Sequence, residues 1–231
     1  MPFHNLSGAR IAFDLDGTLV DTAPDLVRAL NAAITPAGLD PVPLAAVRAM
    51  VGRGARALIL RAYERAGRAE PSADETATRL ERFLDVYADG VADLSRPFDG
   101  VEAVLDALGE AGAELSICTN KPGWLARPLM DALNMSDRFV RIVGADDAPE
   151  KKPAAIHLET ALGGPADGRA MLIGDSEPDV GAARAARAHS LIFTDGYSEK
   201  PADALGADRL FKHWREAPGL IAELIPNAEI C

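Results

Sequence analysis

Hydrophobic positions follow two patterns along this chain. Four short, largely apolar runs, at residues 11–13, 113–118, 170–173 and 190–193, stand between polar stretches. Runs this short predict buried strands covered on both faces. Between them the apolar residues change to helical spacing. Val101, Val104, Leu105 and Leu108 recur at i, i+3, i+4 and i+7. Ile156, Ala161 and Leu162 mark a second helical segment, and the alanine-rich residues 180–187 mark a third. Strand–helix alternation predicts an α/β fold with a parallel sheet and helices on both of its faces.

The stretch from about residue 24 to residue 93 breaks that alternation. It holds no good strand candidate and three or four helical segments. Pro24 occupies a favoured first helical position. Leu58, Ile59, Ala62 and Tyr63 share one face of a segment over 55–66, and Leu80, Phe83, Leu84 and Tyr87 one face of 74–88. Arg96-Pro97-Phe98-Asp99-Gly100 is a turn signal that returns the chain to the sheet. The organisation expected is a core of residues 1–20 and 94–231, with residues 21–93 inserted as a helical cap.

Composition narrows the class of protein. The chain has 231 residues, of which 48% are apolar, the share of ordinary soluble domains rather than disordered or collagen-like chains. Its 24 basic and 35 acidic residues give a net charge of −11. That balance disfavours nucleic acid and anionic membranes as partners, since both need a positive field. An anionic substrate would also need a local reversal of the field. The longest stretch free of Asp, Glu, Lys and Arg, residues 29–39, is well short of the ~18 apolar residues of a membrane span. Residues 1–10 lack the apolar stretch of a signal peptide. Cys118 lies in an apolar run and Cys231 is the last residue. No structural disulfide is expected, and the cytoplasm is the expected location.

Candidate chemistry concentrates after the first strand. Asp14 and Asp16 follow it directly. In an extended chain, residues two apart face the same way. Both carboxylates would then leave the carboxyl end of a strand, where open α/β sheets bind ligands. Gly17 permits a sharp turn there. A second strand ends in Thr119, followed by Asn120 and a helix starting near Pro122, whose free N–H groups favour an anion. Lys151-Lys152-Pro153 supplies a cation, and 171–179 deliver Asp175 and Asp179 after an apolar strand. Carboxylate oxygens of this kind suit Mg²⁺. Gly52-Arg53-Gly54 follows no strand and is not a dinucleotide fingerprint. His4, His157, His189 and His213 are scattered without zinc-ligand spacing and are expected to be structural or surface residues. Trp124 and Trp214 are expected to pack or cap helices.

Asp14-Leu15-Asp16-Gly17-Thr18-Leu19-Val20-Asp21 resembles the first signature of the haloacid dehalogenase-like hydrolases. Ser116-Ile117-Cys118-Thr119-Asn120-Lys121-Pro122, Lys151-Lys152-Pro153 and Gly174-Asp175-Ser176-Glu177-Pro178-Asp179 match three further signatures in order and spacing. The chain departs from the family pattern at Ala155, where a second proline is usual, and at Arg187, where glycine is usual. A left-handed Arg187 would cost on the order of 1 kcal/mol.

The resemblance implies a Rossmann-like core with an inserted helical cap and a Mg²⁺-dependent phosphomonoesterase acting on a small phosphorylated metabolite. In that family Asp14 would be the nucleophile that forms an aspartyl-phosphate, and Asp16 the general acid and base. Mg²⁺ would be held by Asp14, the Asp16 backbone carbonyl and Asp175, with Asp179 as ligand or support. Thr119, the Asn120 amide and Lys152 would bind the transferring phosphoryl group. An acid at residue 16 fits phosphatases and phosphomutases and disfavours the dehalogenase and phosphonatase branches. The loop around Arg53, with 21–26 and 119–122, is similar to the phosphoglycolate phosphatase branch. Arg53 or Arg56 would then bind a carboxylate of the substrate. A phosphosugar mutase of the beta-phosphoglucomutase kind is the alternative on the same scaffold.

Overall fold

The computed structural model describes residues 5–48, 50–52 and 54–225. In chain order the elements are β1 (Arg10–Phe13), β2 (Val20–Asp21), α1 (Ala23–Ile34), α2 (Leu44–Arg48), α3 (Ala55–Arg65) and α4 (Ala73–Ala88). They continue with β3 (Arg96–Pro97), α5 (Val101–Glu110), β4 (Glu114–Cys118), α6 (Gly123–Ala132), β5 (Arg141–Val143) and α7 (Ala155–Leu162). The last are β6 (Ala170–Gly174), α8 (Glu177–Ala186), β7 (His189–Phe193), β8 (Arg209–Phe211) and α9 (Ala217–Leu224).

Six strands form one parallel sheet in the order β5-β4-β1-β6-β7-β8. This is the expected α/β architecture. Alternate residues of the central strands serve opposite faces. Ile11, Phe13, Leu115, Ile117, Met171 and Ile173 pack with residues of α5, α6 and α9. Ala12, Cys118 and Leu172 pack instead with α7 and α8, where Ala161, Ala182, Ala183 and Ala186 keep the layer thin. Arg187 caps α8 in the left-handed conformation, with φ of 58°.

The four expected strands are present, and two were missed. β5 and β8 are three-residue edge strands with only Val143 and Phe211 buried, so neither leaves an apolar run in the sequence. A two-residue antiparallel pairing of β2 with β3 was also missed; it joins the chain entering α1 to the chain leaving the helical stretch. Helices α1, α3 and α4 lie where the spacing predicts, and α2 is the fourth segment. Their buried faces form a second cluster, including Leu30, Leu58, Ile59, Phe83 and Tyr87, which Leu125 of α6 and Tyr197 join. Trp214 packs against Phe13, Phe193 and Phe211 as expected. Trp124 differs: it sits in the first turn of α6 with 47% of its surface exposed.

The register positions the chemistry. Phe13 lies level with Ile117 on β4 and with Ile173 on β6. The residues just beyond these three strand ends therefore emerge side by side. The chain runs outward in opposite directions from β1, so this edge is a topological switch point, where open α/β sheets bind ligands.

Candidate active site

Asp14 continues β1 by one bond, its N–H donating to the Ile173 carbonyl at 2.8 Å. Its Oδ1 accepts from the Leu15 N–H at 2.7 Å and faces the Lys152 ammonium at 2.9 Å. Oδ2 is left without a hydrogen bond among the described residues. Lys152 also lies 2.6 Å from Asp179 Oδ1. The other oxygen of Asp179 accepts from the Ser176 N–H at 3.0 Å and hydroxyl at 2.8 Å, forming the capping box that starts α8. Asp175 accepts from the Thr18 hydroxyl at 2.8 Å and from the Tyr197 N–H at 2.6 Å. All four charged residues are buried.

Oxygens of Asp14, Asp175 and Asp179 lie within 4.8 Å of one another. One lysine faces two of the three clustered carboxylates, Asp14 and Asp179, and all of them are buried. Burial pushes the Asp14 carboxyl up to about 6, against the pull of Lys152 and helped by the charge of Asp179. Burial also raises Asp175 well above the usual carboxylate range, with Asp179 and Asp14 adding to it. Burial works against the charge of Lys152, but Asp14 and Asp179 outweigh it and hold the ammonium protonated. An excess of negative charge on hard oxygen donors fits a divalent cation such as Mg²⁺. Asp14 and Asp179 each turn one oxygen to the Lys152 ammonium, whereas among the described residues the two oxygens of Asp175 accept only from the neutral Thr18 hydroxyl and Tyr197 N–H.

The turn after β1 depends on Gly17, at φ +88°. A Cβ there would stand 2.6 Å from the Tyr197 ring and 2.7 Å from Asp175 Oδ2. Asp16 lies in the same turn but outside the acidic group. Its two oxygens accept from the Lys121 ammonium at 2.9 and 3.2 Å. The two aspartates of the first motif thus answer to different lysines.

Thr119 extends β4, its N–H donating to the Val143 carbonyl at 3.0 Å. Its hydroxyl oxygen accepts from the Lys121 N–H at 3.2 Å, which leaves the hydroxyl proton to donate. The Asn120 side-chain amide donates to the carbonyls of Gly52 and Lys152 at 3.2 and 3.3 Å. His157 fixes the lysine loop from behind. Its Nδ1 accepts from the Lys152 N–H at 2.9 Å, and Nε2 lies 3.1 Å from the Gly144 carbonyl. Burial, with the Lys152 charge, lowers this imidazole to about 4, so it stays neutral.

Asp14, Asp16, Thr119, Asn120 and Lys121 line one side of a pocket. The other side is apolar, from Leu26 of α1, Leu58 of α3 and Phe83, Leu84 and Tyr87 of α4. Arg53 lies outside the described residues, as do His4 and Cys231. Gly52 and Gly54 on either side of Arg53 border the pocket. Arg56 is exposed on α3 and is not among the lining residues. Cys118 is a buried free thiol, pushed up to about 12 by burial.

Three residues near this site escaped the sequence reading. Lys121 stood in the second motif without a role. Tyr87 read only as part of the packed face of α4. Tyr197, after β7, donates its hydroxyl to Asp21 and accepts from the Ala23 N–H, joining the start of α1 to the Asp175 loop. A tyrosine in a loop carries no spacing signal. Lys121 did carry one, since a lysine between Asn120 and a helix start must be accounted for.

A family model described as haloacid dehalogenase-like hydrolase matches residues 11–193. The chain is 46% identical over 227 residues to a phosphoglycolate phosphatase of Caulobacter vibrioides, covering 97% of this chain and 95% of that one. It is 41% identical to a phosphoglycolate phosphatase of Rhodospirillum rubrum, covering 87% and 86%. Among solved structures, a predicted phosphoglycolate phosphatase from Haemophilus somnus superposes with a TM-score of 0.83 at 28% identity, covering 92% of this chain and 97% of that one. With the four motifs at one sheet edge, the chain belongs to the haloacid dehalogenase-like hydrolases.

Proposed function

We propose that the chain is a Mg²⁺-dependent phosphomonoesterase that hydrolyses phosphoglycolate through an aspartyl-phosphate on Asp14. The observation that carries this reading is the buried group of Asp14, Asp175, Asp179 and Lys152 beside the pocket that holds Asp16, Thr119 and Asn120. The phosphoglycolate phosphatase relatives, at 46% and 41% identity, support the choice of substrate.

Asp14 Oδ2, which takes no hydrogen bond from the described residues, attacks phosphorus while Oδ1 stays pinned by Leu15 and Lys152. The phosphorus–oxygen bond to glycolate breaks, and Asp16 gives its proton to the departing alkoxide. Water then attacks the phosphorus of the acyl phosphate. Asp16 takes the water's proton, and Asp14 leaves as a carboxylate. The Thr119 hydroxyl, the Asn120 N–H and the third proton of the Lys152 ammonium donate to the phosphoryl oxygens as charge gathers on them. Asp14, Asp175 and the Asp16 carbonyl would hold Mg²⁺, which would supply the positive charge that lets two anions meet. Asp179 acts through Lys152, whose position it fixes. Residues 21–93 serve as the cap that closes the pocket and keeps out water. Arg53 is a candidate for a second contact to the substrate.

The test is phosphate release over a panel of small phosphate esters with Mg²⁺. Phosphoglycolate is expected to turn over best, with no release once a chelator is added. Conversion of a hexose 1-phosphate to the 6-phosphate without net release would contradict the reading and favour a mutase.

A further inference from the structure

Two buried lysines serve this site, and only Lys152 has a part in the chemistry above. The Lys121 side chain is 4% exposed. Its three protons are taken by Asp16 Oδ1 at 2.9 Å, Asp16 Oδ2 at 3.2 Å and Tyr87 Oη at 2.8 Å. The ammonium also stands 4.3 Å from the centre of the Tyr87 ring. Among the described residues that line the pocket, Lys121 is the only cationic side chain. Around it the helical side offers Leu26, Phe83 and Leu84.

An ammonium buried this deeply needs an anion against it. In the structure Asp16 is that anion. During the reaction Asp16 must face the ester oxygen instead, and Lys121 then needs another partner. An ester whose alcohol carries a carboxylate one carbon from the ester oxygen brings one. We propose that Lys121 binds the carboxylate of the leaving group, in exchange for Asp16, and so selects phosphate esters of small hydroxy acids. This rests on the phosphomonoesterase reading. Tyr87 is a positioning residue: its hydroxyl and ring hold the ammonium, and the apolar wall gives a neutral alcohol no comparable partner.

The test compares kcat and KM for 2-phosphoglycolate and ethyl phosphate in the wild type, Lys121→Met and Tyr87→Phe. The ratio of kcat/KM for the two esters cancels any shared loss from a displaced Asp16. In Lys121→Met this ratio is expected to fall about ten- to a hundredfold, mainly through KM for phosphoglycolate. In Tyr87→Phe it is expected to fall about threefold. A parallel loss on both esters, with the ratio unchanged, would overturn the proposal, because Lys121 would then only hold Asp16. If Lys121→Met does not fold, inhibition of the wild type decides. 3-Phosphonopropionate should compete at least tenfold better than propylphosphonate, and equal competition would overturn the proposal. A wild type that hydrolyses neither ester with Mg²⁺ sinks the phosphomonoesterase reading itself, and this proposal with it.

Discussion

The two sides of the pocket are built from opposite materials. The sheet side buries Asp14, Asp175, Asp179 and Lys152 within one network of ion pairs and hydrogen bonds. The helical side offers carbon: Leu26, Leu58, Phe83 and Leu84, with one hydroxyl on Tyr87. Charges this close can be held only where the backbone is already fixed, and the aligned ends of β1, β4 and β6 supply that frame. The helical side needs no such frame and can set which alcohol fits. On the proposed function, reaction belongs to the sheet, and choice of substrate to the helices and to the lysine that meets them.

The comparison breaks first at Asp14. Asp14→Asn should lower kcat by about 10⁴-fold or more, as loss of a nucleophile does. A variant that keeps a tenth of the activity would move the chemistry elsewhere. Lys152→Met leaves two buried carboxylates, Asp14 and Asp179, without their cation. It should cost about 3–5 kcal/mol of stability in thermal or denaturant unfolding. Added Mg²⁺ should recover part of that, and an unchanged melting temperature would contradict the charge balance described. Phe83→Ala tests the other side. It should cost about 3 kcal/mol of stability and raise KM more than it lowers kcat; a loss confined to kcat would erase the division between the two sides.

The smallest expected effect is a pH dependence at His157. The native imidazole is lowered to about 4, below the ordinary 6.5. The unfolded chain therefore binds a proton between these values when the folded one does not, and stability falls as pH drops through that window. It is fully present above about pH 6.5. His157→Gln should flatten this part of the stability curve, and a curve of the same slope would show that the titrating group lies elsewhere.

How far the sequence could be read follows from what each feature needs. The central strands and the helices α1, α3, α4 and α5 show their buried faces in the residue pattern, because each must cover a core. β5 and β8 bury one residue each and leave almost no pattern. Asp14, Asp16, Thr119 and Asp175 stand out because they follow apolar strands, and Lys152 because it lies in a recognisable motif. The partition between them could not. That Asp16 pairs with Lys121 rather than joining the acidic group depends on the turn at Gly17. That Asp179 is occupied by Lys152 and Ser176 depends on the cap of α8. Tyr87 reads as core from spacing alone, since one ring can pack on its apolar face and reach a pocket with its hydroxyl.

The most direct measurement of the central claim is a single-turnover acid quench with phosphoglycolate labelled in its phosphate. With Mg²⁺ present, label should appear on the protein before free phosphate and map to the peptide carrying Asp14. Free phosphate forming with no protein-bound label, or label on another residue, would contradict it.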